Sequence, residues 1–184
     1  MRSVHLENLG SANMNALRTG TWMRSLAGLD LSGTTRVSWA GPDPAPAWLD
    51  LARDFTERWV HQQQIRDAVA RPGLNDAQWL SSLLRTFLWA LPHHYSHITA
   101  EPGAQLALTI IGPGGGAWIL TNHGDHWELD ETETAPYGAA AAVELSSDHA
   151  WRLFTGSLED QWRVKLAGDQ RLAAWFLRTR SIII

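Results

Sequence analysis

The spacing of the apolar residues changes once along this 184-residue chain, near residue 104, and no other feature limits the fold as much. Before that point, "DAQWLSSLLRTFLWAL" (Asp76 to Leu91) repeats Leu, Trp and Phe every three or four residues, the pattern of an amphipathic helix with Asn75 or Asp76 as its cap. Pro92 ends or kinks that helix. After the change, "AQLALTII", "AWILTN" and "HWELD" are short strand-type runs. "GPGGG" and an "HGD" turn join them, which predicts an antiparallel meander. "AAAAVELS" predicts another strand, Ser147 or Asp148 caps a helix "DHAWRLFTG", and "QRLAAWFLRT" closes the chain as a last helix. Helices first, then a mainly antiparallel sheet with helices returning over it, is an α segment followed by an α+β domain.

Upstream, "MRSVHLENLGSANMNALRTGTWMRSLAGLDLSG" reads as one or two helices. Pro42, Pro44 and Pro46 then hold the chain extended, because each disfavours the helical region for the residue before it. A helix is expected from Ala47 to Ala70, and "RPG" (Arg71 to Gly73) stops it. Two domains follow, residues 1–73 and 74–184. The formal net charge of −4, with no clustered Lys/Arg stripe, gives no footprint for nucleic acid or a membrane surface. With no cysteine, thiolate metal sites, disulfides and a cysteine nucleophile are excluded, so any metal takes His, Asp or Glu ligands. No signal-like or membrane-length apolar run is present, which makes a cytoplasmic protein the expectation. Most of the 11 tryptophans are expected as core anchors.

Within the 47–70 helix, Trp48, Ala52, Phe55, Trp59 and Gln62 form one stripe, and Asp50, Asp54, Glu57, His61, Gln64 and Ala68 another. Glu57 and His61, four residues apart, share a face. That spacing suits a surface pair, an acid/base pair, or two ligands to one metal, with Asp54 and Gln64 placed to orient the imidazole. A catalytic zinc needs three protein ligands, so a third would have to come from elsewhere. His93, His94 and His97 in "LPHHYSH" read as structural, since imidazoles suit a helix C-terminus. "GPGGG" lacks the Lys-Ser/Thr and the following helix of a phosphate loop and reads as a hairpin turn. His123, Asp125 and His126 surround the next tight turn. No serine sits in a nucleophile elbow.

"VSWAGPDPAPAWLDLARDFTERWVHQQQIRDAVARPG" resembles the last bundle helix of the mycothiol-dependent maleylpyruvate isomerase family, which belongs to the DinB-like metalloenzymes of actinobacteria. "LPHHY", "TIIGPGGGAWIL" and the segment from "AAVELSSDHAW" to the end are similar to that family's sterol-carrier-protein-like C-terminal domain. The resemblance implies a partial DinB-like bundle ahead of the α+β domain, and Glu57 and His61 as zinc ligands. Asp54 and Gln64 would support them. Family members carry a complete bundle ahead of this helix, with a further histidine on its first helix. Only about 45 residues precede the Pro-rich loop here, so the bundle is expected to be shortened. His5 in "SVHLEN" would then be the third ligand, or a second chain would complete the bundle as a swapped homodimer. Zinc would bind the sulfur of mycothiol as thiolate, and Arg178 or Arg180 would meet a substrate carboxylate. The implied activity is isomerisation or thiol transfer on a small molecule. A rival reading is a catalytically inactive module that holds an apolar ligand against its sheet, lined by Trp118, Trp127, Trp151 and Phe154.

Overall fold

A computed structural model describes residues 33–159 and 163–182. Strands β1 (Thr34–Arg36) and β2 (Pro44–Pro46) pair antiparallel within the proline-rich segment. Helix α1 (Trp48–Ala68) follows, then α2 (Ala77–Leu88) and the short α3 (Leu91–Tyr95). Strands β3 (Gln105–Ile111), β4 (Gly116–Asn122) and β5 (Trp127–Thr132) form the expected meander. Strand β6 (Ala141–Ser146), α4 (Ser147–Phe154), β7 (Lys165–Gly168) and α5 (Gln170–Phe176) complete the order.

The five-stranded sheet runs β5-β4-β3-β6-β7. Three of its pairings are antiparallel, and β3 and β6 are parallel. Parallel neighbours need a long connection, and the β4–β5 hairpin serves as that connection here. Alternation places Leu106, Leu108 and Ile110 of β3, Trp118 and Leu120 of β4, and Val143 and Leu145 of β6 on one buried face. The register carries this face onto β5 as Trp127, Leu129 and Glu131, opposite Asn122, Leu120 and Trp118.

The helices bury their apolar stripes on that face. Asp76 caps α2 by accepting from the amides of Gln78 and Trp79 at 3.0 and 3.4 Å, as its sequence predicts. Pro92 does not kink α2 from within. The helix ends at Leu88, and Pro92 occupies the first turn of α3, where its missing N–H costs nothing. Ser146, one residue ahead of the expected cap, accepts from the His149 amide and starts α4. Phe154 of α4 stacks on Phe87 of α2, with ring centres 5.4 Å apart, and meets Phe176 of α5 edge-on at 5.9 Å.

Helix α1 buries Leu49, Thr56, Trp59, Val60 and Gln63, a stripe rotated from the expected one through Ala52, Phe55 and Gln62. Gln63 makes the difference. Its carboxamide accepts from the Leu74 amide at 3.0 Å and donates to the Leu74 carbonyl at 2.9 Å, so a polar side chain is satisfied inside. Trp59 meets Trp151 of α4 edge-on, and Arg152 of α4 bridges to Asp67 at 2.6 Å. Trp59 and Val60 therefore share one core with the helices and sheet of the α+β domain. The described residues do not show the DinB-like bundle that the resemblance implies: one long helix, α1, stands ahead of the α+β elements, and it rests on α2 and α4. Residues 1–32, including His5, lie outside the described residues. No helix among the described residues is long and apolar enough to cross a membrane.

Candidate functional site

A hollow lies where the C-terminal end of α2 and the start of α3 pass over β4 and β5. It has a volume of about 440 Å³, within the range of small-molecule sites. Leu88, Trp89 and Pro92 form its helical wall, and Trp118, Trp127 and Leu129 form its sheet wall. The walls follow from two local patterns. The i, i+3/i+4 spacing of α2 brings Arg85, Leu88 and Trp89 to one side of its last turn. The alternation of β5 turns Trp127, Leu129 and Glu131 toward the helices.

One end of the cleft is polar. Arg85 donates to Glu131 through both Nε (3.0 Å) and Nη2 (2.6 Å), a two-point clasp, and also contacts the Ser81 hydroxyl. The guanidinium lowers the Glu131 carboxyl below the usual carboxylate range, chiefly through these hydrogen bonds. The same bond raises the pKa of Arg85. Both partners are about half exposed, so the pair adds little to stability. Its main effect is local, because Glu131 already occupies the planar donor edge of Arg85. His126 and Glu128 reach the outer wall of the cleft.

The sequence candidates fall in several places. Trp118 and Trp127 line the cleft, as expected of an apolar-ligand site. Trp151 instead borders a separate, smaller hollow of about 220 Å³ beside the β3–β4 turn, and Phe154 is fully enclosed in the core. Glu57 is half-buried and His61 exposed on α1. Gln64 Oε1 holds Nδ1 of His61 at 3.1 Å, the orienting contact its spacing suggests. Asp54 pairs with Arg58 at 3.4 Å. Among the described residues no third His, Asp or Glu joins Glu57 and His61 to make a metal-binding group. Arg178 lies over the Trp175 ring at 5.2 Å, and Arg180 donates to the carbonyls of Leu177 and Thr179. Neither lines the cleft.

Of the "LPHHYSH" histidines, His94 makes packing contacts with the last helix, and His97 is exposed. His94 stacks on Trp175 with ring centres 5.2 Å apart, and Trp175 Nε1 donates to the His94 carbonyl at 3.1 Å. The glycine-rich turn is a hairpin whose Gly114 lies against the first turn of α2.

Sequence reasoning missed the role of Arg85 and Glu131, which are 46 residues apart and meet only through the sheet register. It also missed that His123, His126 and Glu128 bring ligand atoms within 4.8 Å of one another. The signal was present as "HGDHWE", because pairing across so tight a turn sets His123 beside His126 and leaves Glu128 two residues on, on the same face.

No family model and no curated protein matches the chain. Among solved structures, it is similar to sterol carrier protein 2 like 2 from Aedes aegypti, with 17% identity over 51% of this chain and 93% of that one and a TM-score of 0.36. Sterol carrier protein 2 from Yarrowia lipolytica in its apo form gives 15% identity, coverage of 56% and 91%, and a TM-score of 0.36. A UbiJ-SCP2 ubiquinone synthesis protein gives 20% identity, coverage of 55% and 89%, and a TM-score of 0.34.

Proposed function

We propose that the α+β domain is a binding module for a small, mostly apolar molecule, held between α2–α3 and the β4–β5 hairpin. The observation that carries this reading is the cleft itself. Three indole rings and the aliphatic Leu88 and Leu129 surround an opening of about 440 Å³, with the Arg85–Glu131 pair at one end. Closing about 200 Å² of ligand surface against such walls contributes on the order of 5 kcal/mol before ordering costs are subtracted. The polar end also discriminates. Arg85 is neutralised by Glu131. A carboxylate entering there would have to displace Glu131, so a neutral head such as a hydroxyl fits better than an acid.

Titration with the neutral fluorophore N-phenyl-1-naphthylamine, followed by displacement with a long-chain alcohol or its matching carboxylate, tests the proposal. Saturable binding with the alcohol displacing at lower concentration is expected. Trp89→Glu puts a charge on a wall residue that is 38% exposed and should weaken binding about tenfold or more while the protein stays folded. Absence of saturable binding, or equal affinity in that variant, would remove the reading.

A second reading keeps the zinc- and mycothiol-dependent isomerase or thiol transferase implied by the motif resemblance. One contact favours it: Gln64 on Nδ1 of His61 leaves the other ring nitrogen available to a metal. The described residues supply two donors where a catalytic zinc holds three. They do not complete the site. Zinc content of the purified chain that drops in both Glu57→Ala and His61→Ala would support this reading, and unchanged content in both would end it.

A further inference from the structure

The β4–β5 turn brings three potential ligands together away from α1. His123 Nε2 stands 3.1 Å from Glu128 Oε2. The His123 and His126 rings are stacked, with centres 5.0 Å apart and planes 17° from parallel. A ligand atom from each of His123, His126 and Glu128 lies within 4.8 Å of the other two. Donors about 2.1 Å from a tetrahedral ion are separated by roughly 3.4 Å, so the 3.1 Å pair is already close to that spacing. All three side chains are exposed, so the remaining closure needs only rotation about side-chain bonds.

Two further features organise the group. Asp125 Oδ1 meets Nδ1 of His126 at 2.7 Å. A carboxylate in that position orients a metal-binding imidazole and leaves its other nitrogen for the ion. Beneath the turn, buried Asn122 donates to the carbonyls of Ala100 and Glu101 at 2.8 and 3.2 Å and accepts from the Gly124 amide at 2.8 Å. Gly124 itself has φ of 97°, a conformation that glycine adopts freely. The backbone carrying the ligands is therefore fixed before any ion arrives, which lowers the cost of binding.

We propose that His123, His126 and Glu128 form a zinc-class divalent metal site on this hairpin, distinct from the Glu57–His61 pair. Two imidazoles and a carboxylate match the preference of zinc and its late-transition-metal neighbours, and they do not suit calcium or magnesium, which favour oxygen. The set leaves a fourth position open.

Calorimetric titration of the metal-stripped full chain with zinc chloride is the test, with cobalt(II) absorption as a spectroscopic check on tetrahedral coordination. About one zinc per chain is expected at this site. His123→Ala and Glu128→Ala should each weaken its binding by well over tenfold, and Asp125→Asn by about tenfold. All four side chains are exposed, so thermal unfolding without metal should match the parent in every variant. Glu57→Ala and His61→Ala should leave this binding unchanged. No zinc uptake by the stripped chain, or affinity unaltered in the His123 and Glu128 variants, would overturn the proposal. Binding that disappears in His61→Ala instead would do the same.

Discussion

His94 of α3 packs against the end of α5, with its ring on Trp175 and Nε2 3.2 Å from the Trp175 carbonyl. Burial pulls its pKa below the ordinary imidazole range, against the raising effect of that carbonyl, and nearby His97, Arg180 and His93 lower it further. In the unfolded chain the group titrates near 6.5. A folded value below the unfolded one means its stabilising contribution is complete above about 6.5 and is lost as pH falls through the folded value. Thermal unfolding between pH 7 and 5 should therefore show declining stability in the parent and a shallower decline in His94→Phe, which keeps the ring stack. Identical slopes would show that this imidazole is not the responsive group. Some of this scale was legible from the sequence. Asp76 as a cap and the shared face of Glu57 and His61 follow from local spacing. The burial of Gln63 does not, because its partner is the backbone of Leu74 in the loop beyond the helix.

Among the elements, the β3–β4 turn shows what its glycines are for. Gly114 has φ of 69°, and an added Cβ would fall on the Ser81 amide nitrogen, 2.7 Å from Leu80 Cβ and 2.8 Å from the Ala77 carbonyl oxygen. These are atoms of the first turns of α2, mostly backbone, which cannot yield as a flexible side chain could. Gly114→Ala should cost about 2 kcal/mol or more, combining a strained backbone with forced separation of turn and helix. Chemical denaturation measures it, and a cost under about 0.5 kcal/mol would mean that the contact is not made in solution. The sequence reveals the turn but not what it touches. Element types were legible where the period was long and regular, as in α1, α2 and the meander. Strand β7, only four residues long, was not, and neither was the parallel pairing of β3 with β6. Short apolar runs do not encode their partners.

At the scale of the whole molecule, the main core among the described residues extends from Trp59 of α1 to Phe176 of α5, beside a smaller cluster of Val37, Ala45 and Leu49. Trp59 is the link at one end, with its ring centre 5.6 Å from that of Trp151. Trp59→Ala should cost about 3–5 kcal/mol and speed amide exchange along α1. Its buried indole nitrogen has no hydrogen-bond partner. Trp59→Phe keeps an aromatic ring in place without that unpaired donor and should cost less than about 1.5 kcal/mol. Comparable losses in both variants would argue against ring packing as the source of the link. Composition and periodicity made the α-then-α+β order readable. They left the cleft hidden, because its walls come from α2, α3, β4 and β5, and the residues meet only after the sheet has formed. The seating of Gly114 against α2 bears on how that cleft can respond to an occupant. With its first turns locked to the β3–β4 loop, the helix is a lever hinged at one end, and the opening cannot widen evenly. A bulky guest would gain room chiefly by splaying β5, a margin strand, which favours slender, flat shapes over thick ones.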